Sequence, residues 1–162
     1  GKSFHVSNSL DIEGSNEATA SFISNDRLII NARNQQGNTK TRITAYSNDG
    51  GANFEKAFYE DQLPDPICQG AILNIGYKQG KPILALVNAS DTIYRNNLSL
   101  HISYDEGMHW KKKVVIDGTK DLQKMKNDFT AYADIIKMSK RKIGVLYERD
   151  NYQEIVFSII KW

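Results

Sequence analysis

Ser103-Tyr-Asp-Glu-Gly-Met-His-Trp110 has a near copy earlier in the chain, Ser47-Asn-Asp-Gly-Gly-Ala-Asn-Phe54. Both stretches keep one spacing, Ser-x-Asp-x-Gly-x-x-aromatic, with the aspartates at 49 and 105. Each follows an alternating run (Thr41–Tyr46 and Asn97–Ile102) and precedes another strand-like one. A small hydroxyl, an Asp and a Gly at these intervals suit a tight turn. The carboxylate accepts backbone N–H groups, the Gly adopts positive φ, and the aromatic plugs the turn onto a sheet. Two copies of such a turn, each between strands, point to a radial β repeat.

The spacing is that of an Asp-box, a structural turn that names a scaffold and not a chemistry. Strand-like runs surround both copies. The first set is Ala18–Ile23, Arg27–Ala32, Thr39–Tyr46 and about Glu55–Glu60, followed by a proline-bearing connection, Leu63-Pro-Asp-Pro66. A second set comprises Ala71–Tyr77, Pro82–Asn88, Asn97–Ser103 and Trp110–Ile116. The polar loop Asp117–Thr130 has room for a helical turn at Asp121–Met125. Three more runs follow, at Tyr132–Met138, Lys142–Tyr147 and Glu154–Lys161. Turn signals divide them, and helical periodicity is absent over any useful length. Four antiparallel strands per unit, repeated, make propeller blades. The expected fold is therefore all-β, with two full blades and most of a third. Propellers typically close with four to eight blades, so three leave unpaired edges.

The bulk numbers narrow the function classes. The chain of 162 residues is long enough to bury roughly 70% of its unfolded surface. Charged residues at 25% and a net charge of +2 describe an ordinary surface and argue against nucleic acid as a partner. The basic runs Lys111–Lys113 and Lys140–Lys142 read as solvated strand ends. A single cysteine, Cys68, excludes an internal disulfide framework. No apolar stretch approaches the roughly 18 residues of a membrane span. The chain opens at Gly1 without an initiator methionine, and is expected to be a piece of something longer.

In a propeller the first strand of each blade lines the central channel, and loops at one end form the ligand site. Glu17 stands before the first strand, Arg33 ends the second, Arg95 sits in a long loop, and Tyr132 opens the innermost strand of the third set. Each alone has a bland reading, as an exposed acid, a solvated arginine or a half-buried phenol. Together they place two guanidinium groups with a carboxylate and a phenol, a set suited to an anionic ligand.

These residues, with Leu28-Ile-Ile-Asn-Ala-Arg33, both Asp-boxes, Asp65-Pro-Ile-Cys-Gln-Gly70, Arg95-Asn-Asn-Leu-Ser-Leu100, Ala131-Tyr-Ala-Asp-Ile135 and Ile143-Gly-Val-Leu-Tyr-Glu148, resemble the bacterial-type sialidases of the six-bladed propeller superfamily. The likeness runs in order across almost the whole chain. It implies that residues 1–162 are the C-terminal half of a catalytic propeller, with the N-terminal half of the same enzyme as partner. It implies hydrolysis of terminal α-linked sialic acid on sialylated glycans, with retention and without a metal or organic cofactor, in a secreted or cell-surface bacterial protein. Tyr132 would be the nucleophile and Glu17 its base, with Arg33 and Arg95 as carboxylate-binding arginines. Glu148 would orient a first arginine that the chain does not contain. Gln69, Asp91 and Asn31 are candidates for pocket lining.

The chemistry has its own logic. The anomeric carbon of a sialic acid bears a carboxylate, which would repel an anionic nucleophile. A phenol, with a reference pKa of about 10, attacks poorly when neutral and needs a neighbouring base. The family's Phe/Tyr-Arg-Ile-Pro motif and its general-acid Asp have no counterpart here, and Ala-Tyr-Ala at Tyr132 replaces the commoner Ala-Tyr-Ser. The rival readings are a non-catalytic Asp-box propeller that binds glycans or proteins, and a structural fragment without activity. A lectin needs arginines but has no use for a phenol–carboxylate pair.

Overall fold

A computed structural model describes residues 1–162, apart from the side chains of Lys112 and Lys113. Those two members of the Lys111–Lys113 run therefore lie outside the described residues, while Lys111 is exposed. Eleven strands form three antiparallel sheets. The first is β1 (Ser15–Phe22), β2 (Leu28–Asn34), β3 (Thr41–Ser47) and β4 (Phe58–Pro64), in that spatial order. The second is β5 (Ala71–Lys78), β6 (Lys81–Ala89), β7 (Leu98–Ser103) and β8 (Lys111–Asp117). The third is β9 (Thr130–Ser139), β10 (Lys142–Arg149) and β11 (Glu154–Lys161). A single helical turn, α1 (Leu122–Lys126), precedes β9 and is capped by Asp121, whose carboxylate accepts from the N–H groups of Gln123 and Lys124. Each sheet is an up-and-down meander, and its first strand neighbours the first strand of the next, β1 beside β5 and β5 beside β9. These are blades of a β-propeller.

The middle blade is covered on both faces, so β6 is buried from Pro82 to Ala89 and β7 throughout. Toward the first blade it meets Ile29 and Tyr46 with Ile72, Leu84, Leu86 and Trp110. Toward the third it packs Ile83, Ala85, Leu98 and Leu100 against Ala133, Ile135, Ile143 and Val145. Each fully buried aliphatic side chain contributes about 1.5–3 kcal/mol. The third blade is covered on one face only, whereas the other face of the first is covered by Leu10 and Ile12 of the N-terminal segment, packed over Ala32, Ile43, Ala45 and Ala57. The third presents Ile136, Leu146, Ile155, Phe157 and Ile159 to solvent, and the first presents Phe22.

The expected strands occur, with two displaced. The run expected at Ala18–Ile23 begins at Ser15 and ends at Phe22, so Glu17 lies within the strand and not before it. The run placed at Glu55–Glu60 is strand only from Phe58, and it continues to Pro64. The Asp-box turn holds Glu55, whose N–H donates to the Tyr46 carbonyl. At the far end Pro64 is tolerated because β4 is an outer edge strand, where a missing N–H costs no ladder bond.

Both Asp-box turns close on themselves alike. The Ser47 hydroxyl donates to Asp49 Oδ1 at 2.9 Å and accepts from Gly51 N at 2.9 Å. Asp49 also accepts from the backbone and side chain of Asn53. In the second turn Ser103 and Asp105 make the same bonds, with His109 in the place of Asn53. The positive-φ residues are Gly50 and Gly51 in the first turn, Glu106 and Gly107 in the second. Trp110 plugs the second turn into the core, whereas Phe54 in the first is only half-buried. Because the strands alternate in direction, both turns lie at the ends opposite Glu17, Arg33, Arg95 and Tyr132.

Candidate active site

Two β-bulges aim the central side chains. In β1, Ser15 pairs with Asn34 and Ala18 with Ala32, so Asn16 and Glu17 together oppose Arg33. In β9, Thr130 pairs with Arg149 and Ala133 with Tyr147, so Ala131 and Tyr132 together oppose Glu148. A bulge adds one residue to a strand, bends it and re-aims its side chains, and such features concentrate beside active sites. Glu17 and Tyr132 thus converge from blades separated by a third.

The Tyr132 hydroxyl donates to Glu17 Oε1 at 3.0 Å. Arg33 Nη1 donates to Glu17 Oε2 at 2.8 Å and to the Tyr132 oxygen at 3.2 Å. Burial alone would lower the Arg33 pKa, but the bond and charge of Glu17, followed by Tyr132, outweigh it and hold the guanidinium firmly protonated. One phenolic oxygen therefore faces both an acceptor for its proton and a fixed cation for the charge left behind.

Arg95 lies on the ring of Tyr132, its guanidinium carbon 5.5 Å from the ring centroid. Its Nη1 donates to the Tyr152 hydroxyl at 2.5 Å and its Nη2 to the Ile67 carbonyl at 2.8 Å. The Asp128 carboxylate stands 3.6 Å from Nη1. The backbone is tied as well, since Thr130 N donates to the Arg95 carbonyl at 2.9 Å. The loop bearing Arg95 is thereby anchored to the strand bearing Tyr132.

Beneath these residues runs a buried scaffold. Arg42, fully buried, donates to the Cys68 carbonyl at 2.7 Å and to Asn31 Oδ1, and pairs with Asp65 at 3.6 Å. Burial drives the Arg42 pKa down, and Asp65 opposes that shift. Asp65 in turn accepts from Cys68 N at 2.8 Å and Asn34 N at 3.1 Å. The pair fixes the segment Asp65–Gly70, which delivers the Ile67 carbonyl to Arg95 and Gln69 to the site. Gly70 is required by close approach, since a Cβ there would stand 2.7 Å from the Val87 carbonyl oxygen. Burial pushes the Cys68 thiol up to about 12, so it is an inert core group.

Glu17, Gln69, Tyr132, Asp134, Leu146 and Glu148 line an open cleft of about 430 Å³. Gln69 is anchored there, its Oε1 accepting from Ala133 N at 2.9 Å. Glu148 faces the cleft, and among the described residues no cation pairs with it. Arg33 and Arg95 join this cleft through its wall, Arg33 by its bonds to Glu17 and Tyr132 and Arg95 by its place on the Tyr132 ring.

The other two expected lining residues do not line this cleft. Asn31 points the same way as Arg33 but two residues deeper, where it is fully buried and engaged by Arg42. Asp91 folds its own loop, accepting from Ile93 N at 2.8 Å, Tyr94 N at 3.2 Å and the Asn97 amide at 3.2 Å. Sequence reasoning missed Tyr152, Asp128, Arg42 and the Ile67 carbonyl. Only the last has a signal, in the quoted Asp65–Gly70 segment. Among the described residues no group of three His, Cys, Asp or Glu side chains could hold a metal ion, and no helix is long and apolar enough to cross a membrane.

Blades with Asp-box turns at one rim, and a phenol, a carboxylate and two arginines gathered at the other, define a β-propeller of the sialidase type. The family model of the BNR repeat-like domain matches residues 2–145. The chain belongs to that family. A curated relative, a sialidase of Bacteroides fragilis (strain YCH46), is 24% identical over 151 residues, which are 90% of this chain and 26% of the relative. The chain thus spans about a quarter of that protein's length. Among solved structures, the Hadza microbial sialidase Hz136 superposes with a TM-score of 0.79 at 20% identity, over 99% of this chain and 30% of that one. The NanB sialidase from Streptococcus pneumoniae superposes with a TM-score of 0.70 at 17% identity, over 89% of this chain and 23% of that one. At these identities the structural likeness shows the fold.

Proposed function

We propose that the protein carrying this chain is a retaining exo-α-sialidase that removes terminal α-linked sialic acid from glycoconjugates through a covalent sialyl-tyrosine intermediate. The observation that carries the reading is the bond from the Tyr132 hydroxyl to Glu17 at 3.0 Å, with Arg33 on the same oxygen. The Tyr132 oxygen attacks the anomeric carbon while its proton passes to Glu17. The bond to the aglycone oxygen breaks, and that oxygen takes a proton from a general acid. Water then displaces the Tyr132 oxygen from the anomeric carbon, giving one proton to the ionised general acid, while Glu17 returns its proton to Tyr132. Arg33 stabilises the developing phenolate, and Arg95 receives the substrate carboxylate.

The chain contributes roughly half of this site. The first arginine, which Glu148 orients, and the acid belong to the N-terminal half of the same propeller. The relative lengths support this division, because the chain spans only 26% of its curated relative. The exposed apolar face of the third blade supports it too. Sialylated glycans lie outside cells, so the protein is assigned to the secreted or cell-surface compartment of a bacterium.

A mechanism-based fluorinated sialyl fluoride tests the reading on the protein as it occurs. Covalent label recovered on the peptide containing Tyr132 is the expected result. Reversible binding without label would mark a glycan-binding module instead.

A further inference from the structure

Resting on the sialidase reading, we propose that Tyr152 is a positioning residue that fixes Arg95 while leaving its charge free for the substrate carboxylate. The phenol stands between a cation and an anion. Its oxygen accepts from Arg95 Nη1 at 2.5 Å, and its own O–H donates to Asp128 Oδ2. Asp128 itself is held back, 3.6 Å from Nη1. A carboxylate in direct two-pronged contact would occupy the guanidinium edge and neutralise the charge that has to bind an anion. A neutral phenol can orient the same group without doing so. Burial, reinforced by the bond to Asp128, pushes the Tyr152 pKa up to about 12, so the residue remains a neutral phenol throughout the working range.

The donors support this arrangement. An arginine has five N–H groups. Here one goes to Tyr152 and one to the Ile67 carbonyl. The other three make no hydrogen bond among the described residues, and the Tyr132 ring underlies the guanidinium 5.5 Å away.

The local backbone adopts unusual conformations to hold these partners. Asp150, Asn151 and Tyr152 run consecutively through the left-handed region, with φ of 51°, 55° and 63°. Asp128 (φ 54°) and the β-branched Ile67 (φ 61°) lie there too. Such positions are sparsely populated by residues other than glycine, and they persist only where the surroundings over-determine them. Here the surroundings are backbone bonds between the loops, from Asp150 N to the Phe129 carbonyl at 2.9 Å and from Asn151 N to the Asp128 carbonyl at 3.1 Å. Every one of these five residues lies at a partner of Arg95 or in the turn that presents Tyr152.

The test is Tyr152→Phe in the protein as it occurs, read by crystallography and by steady-state kinetics on a fluorogenic sialoside. In Y152F the Arg95 guanidinium is expected to swing onto the Asp128 carboxylate, and KM should rise about five- to tenfold with kcat within about twofold. An unmoved guanidinium in the Y152F crystal structure would overturn the proposal. So would a KM unchanged in Y152F but raised in Tyr152→Ala, the result of a purely packing role. Should the wild type bind no sialoside, the sialidase reading fails on its own, and the position of Arg95 in Y152F still decides the role of Tyr152.

Discussion

The Tyr132 hydroxyl meets the Glu17 carboxylate at 3.0 Å across 115 residues of sequence, from strands of two blades that have a third between them. Neither residue could be paired with the other from local sequence. Their meeting depends on the packing of the middle blade.

Removing either partner should stop the chemistry without unfolding the chain. Tyr132→Phe and Glu17→Gln are each expected to lower kcat by about 10²–10⁴. KM and melting temperature should change little, because Phe keeps the Tyr132 ring packed against Cys68, Ala89 and Ala131, and Gln keeps the size of the Glu17 side chain. Rate assays alongside thermal unfolding of each variant check the separation.

The opposite rim should show the reverse behaviour. Asp105 accepts from Ser103, from His109 N and from the His109 ring. Asp105→Ala should cost about 1–3 kcal/mol of stability and leave kcat/KM nearly unaltered. A rise in KM at an unchanged melting temperature would contradict the assignment.

Asp49 offers a pH readout of the same turn. Bonds from Asn53 N, the Asn53 amide and the Ser47 hydroxyl depress its pKa from 3.8 to about 2. A depressed acid contributes stability that is present above its unfolded pKa and is lost as pH falls through its folded one. Loosening of the first turn should therefore begin below about pH 4 and reach its midpoint near 2. Carboxyl carbon NMR of Asp49 measures it directly.

The buried pair beneath the site predicts an asymmetry. Asp65→Ala leaves Arg42 charged and buried without its partner, and should cost about 3–5 kcal/mol. Replacing both by apolar residues, as in Arg42→Met with Asp65→Leu, should recover much of that loss while still displacing Gln69 and lowering activity. Denaturant unfolding of the single and double variants tests the coupling.

Residues 1–162 alone should be a poor catalyst. With the general acid supplied by other blades, as proposed, they are expected to turn over a fluorogenic sialoside about 10²–10⁴ times more slowly than the complete protein. Co-expression with the N-terminal blades should restore the rate. Robust turnover by the 162-residue chain would defeat the division of the site.

Much of the fold was legible because strands separated by turn chemistry carry short-range signals, and the Asp-box repeated them. The boundary of β4 was not, because Pro64 reads as a strand breaker unless the strand is known to be an edge. That Glu17, Arg33, Arg95 and Tyr132 meet was expected only through resemblance to a family. Asn31 was misplaced because strand alternation gives a side chain's face but not its depth, and two residues inward from Arg33 the face is already sealed by Arg42. Tyr152 carried no signal at all. It lies outside every strand, in a left-handed turn built from Asp, Asn and Tyr, where a reader of sequence would look for glycine.

The two bulges carry a further consequence. A bulge bends its strand and re-aims its side chains, so losing one residue from Asn16–Glu17 or Ala131–Tyr132 would restore the regular ladder and withdraw the bend that brings Glu17 and Tyr132 together. Deleting Asn16 or Ala131 would leave Glu17, Arg33, Arg95 and Tyr132 all encoded. A gene could thus lose this chemistry through a three-nucleotide deletion that an inventory of its site residues would score as intact.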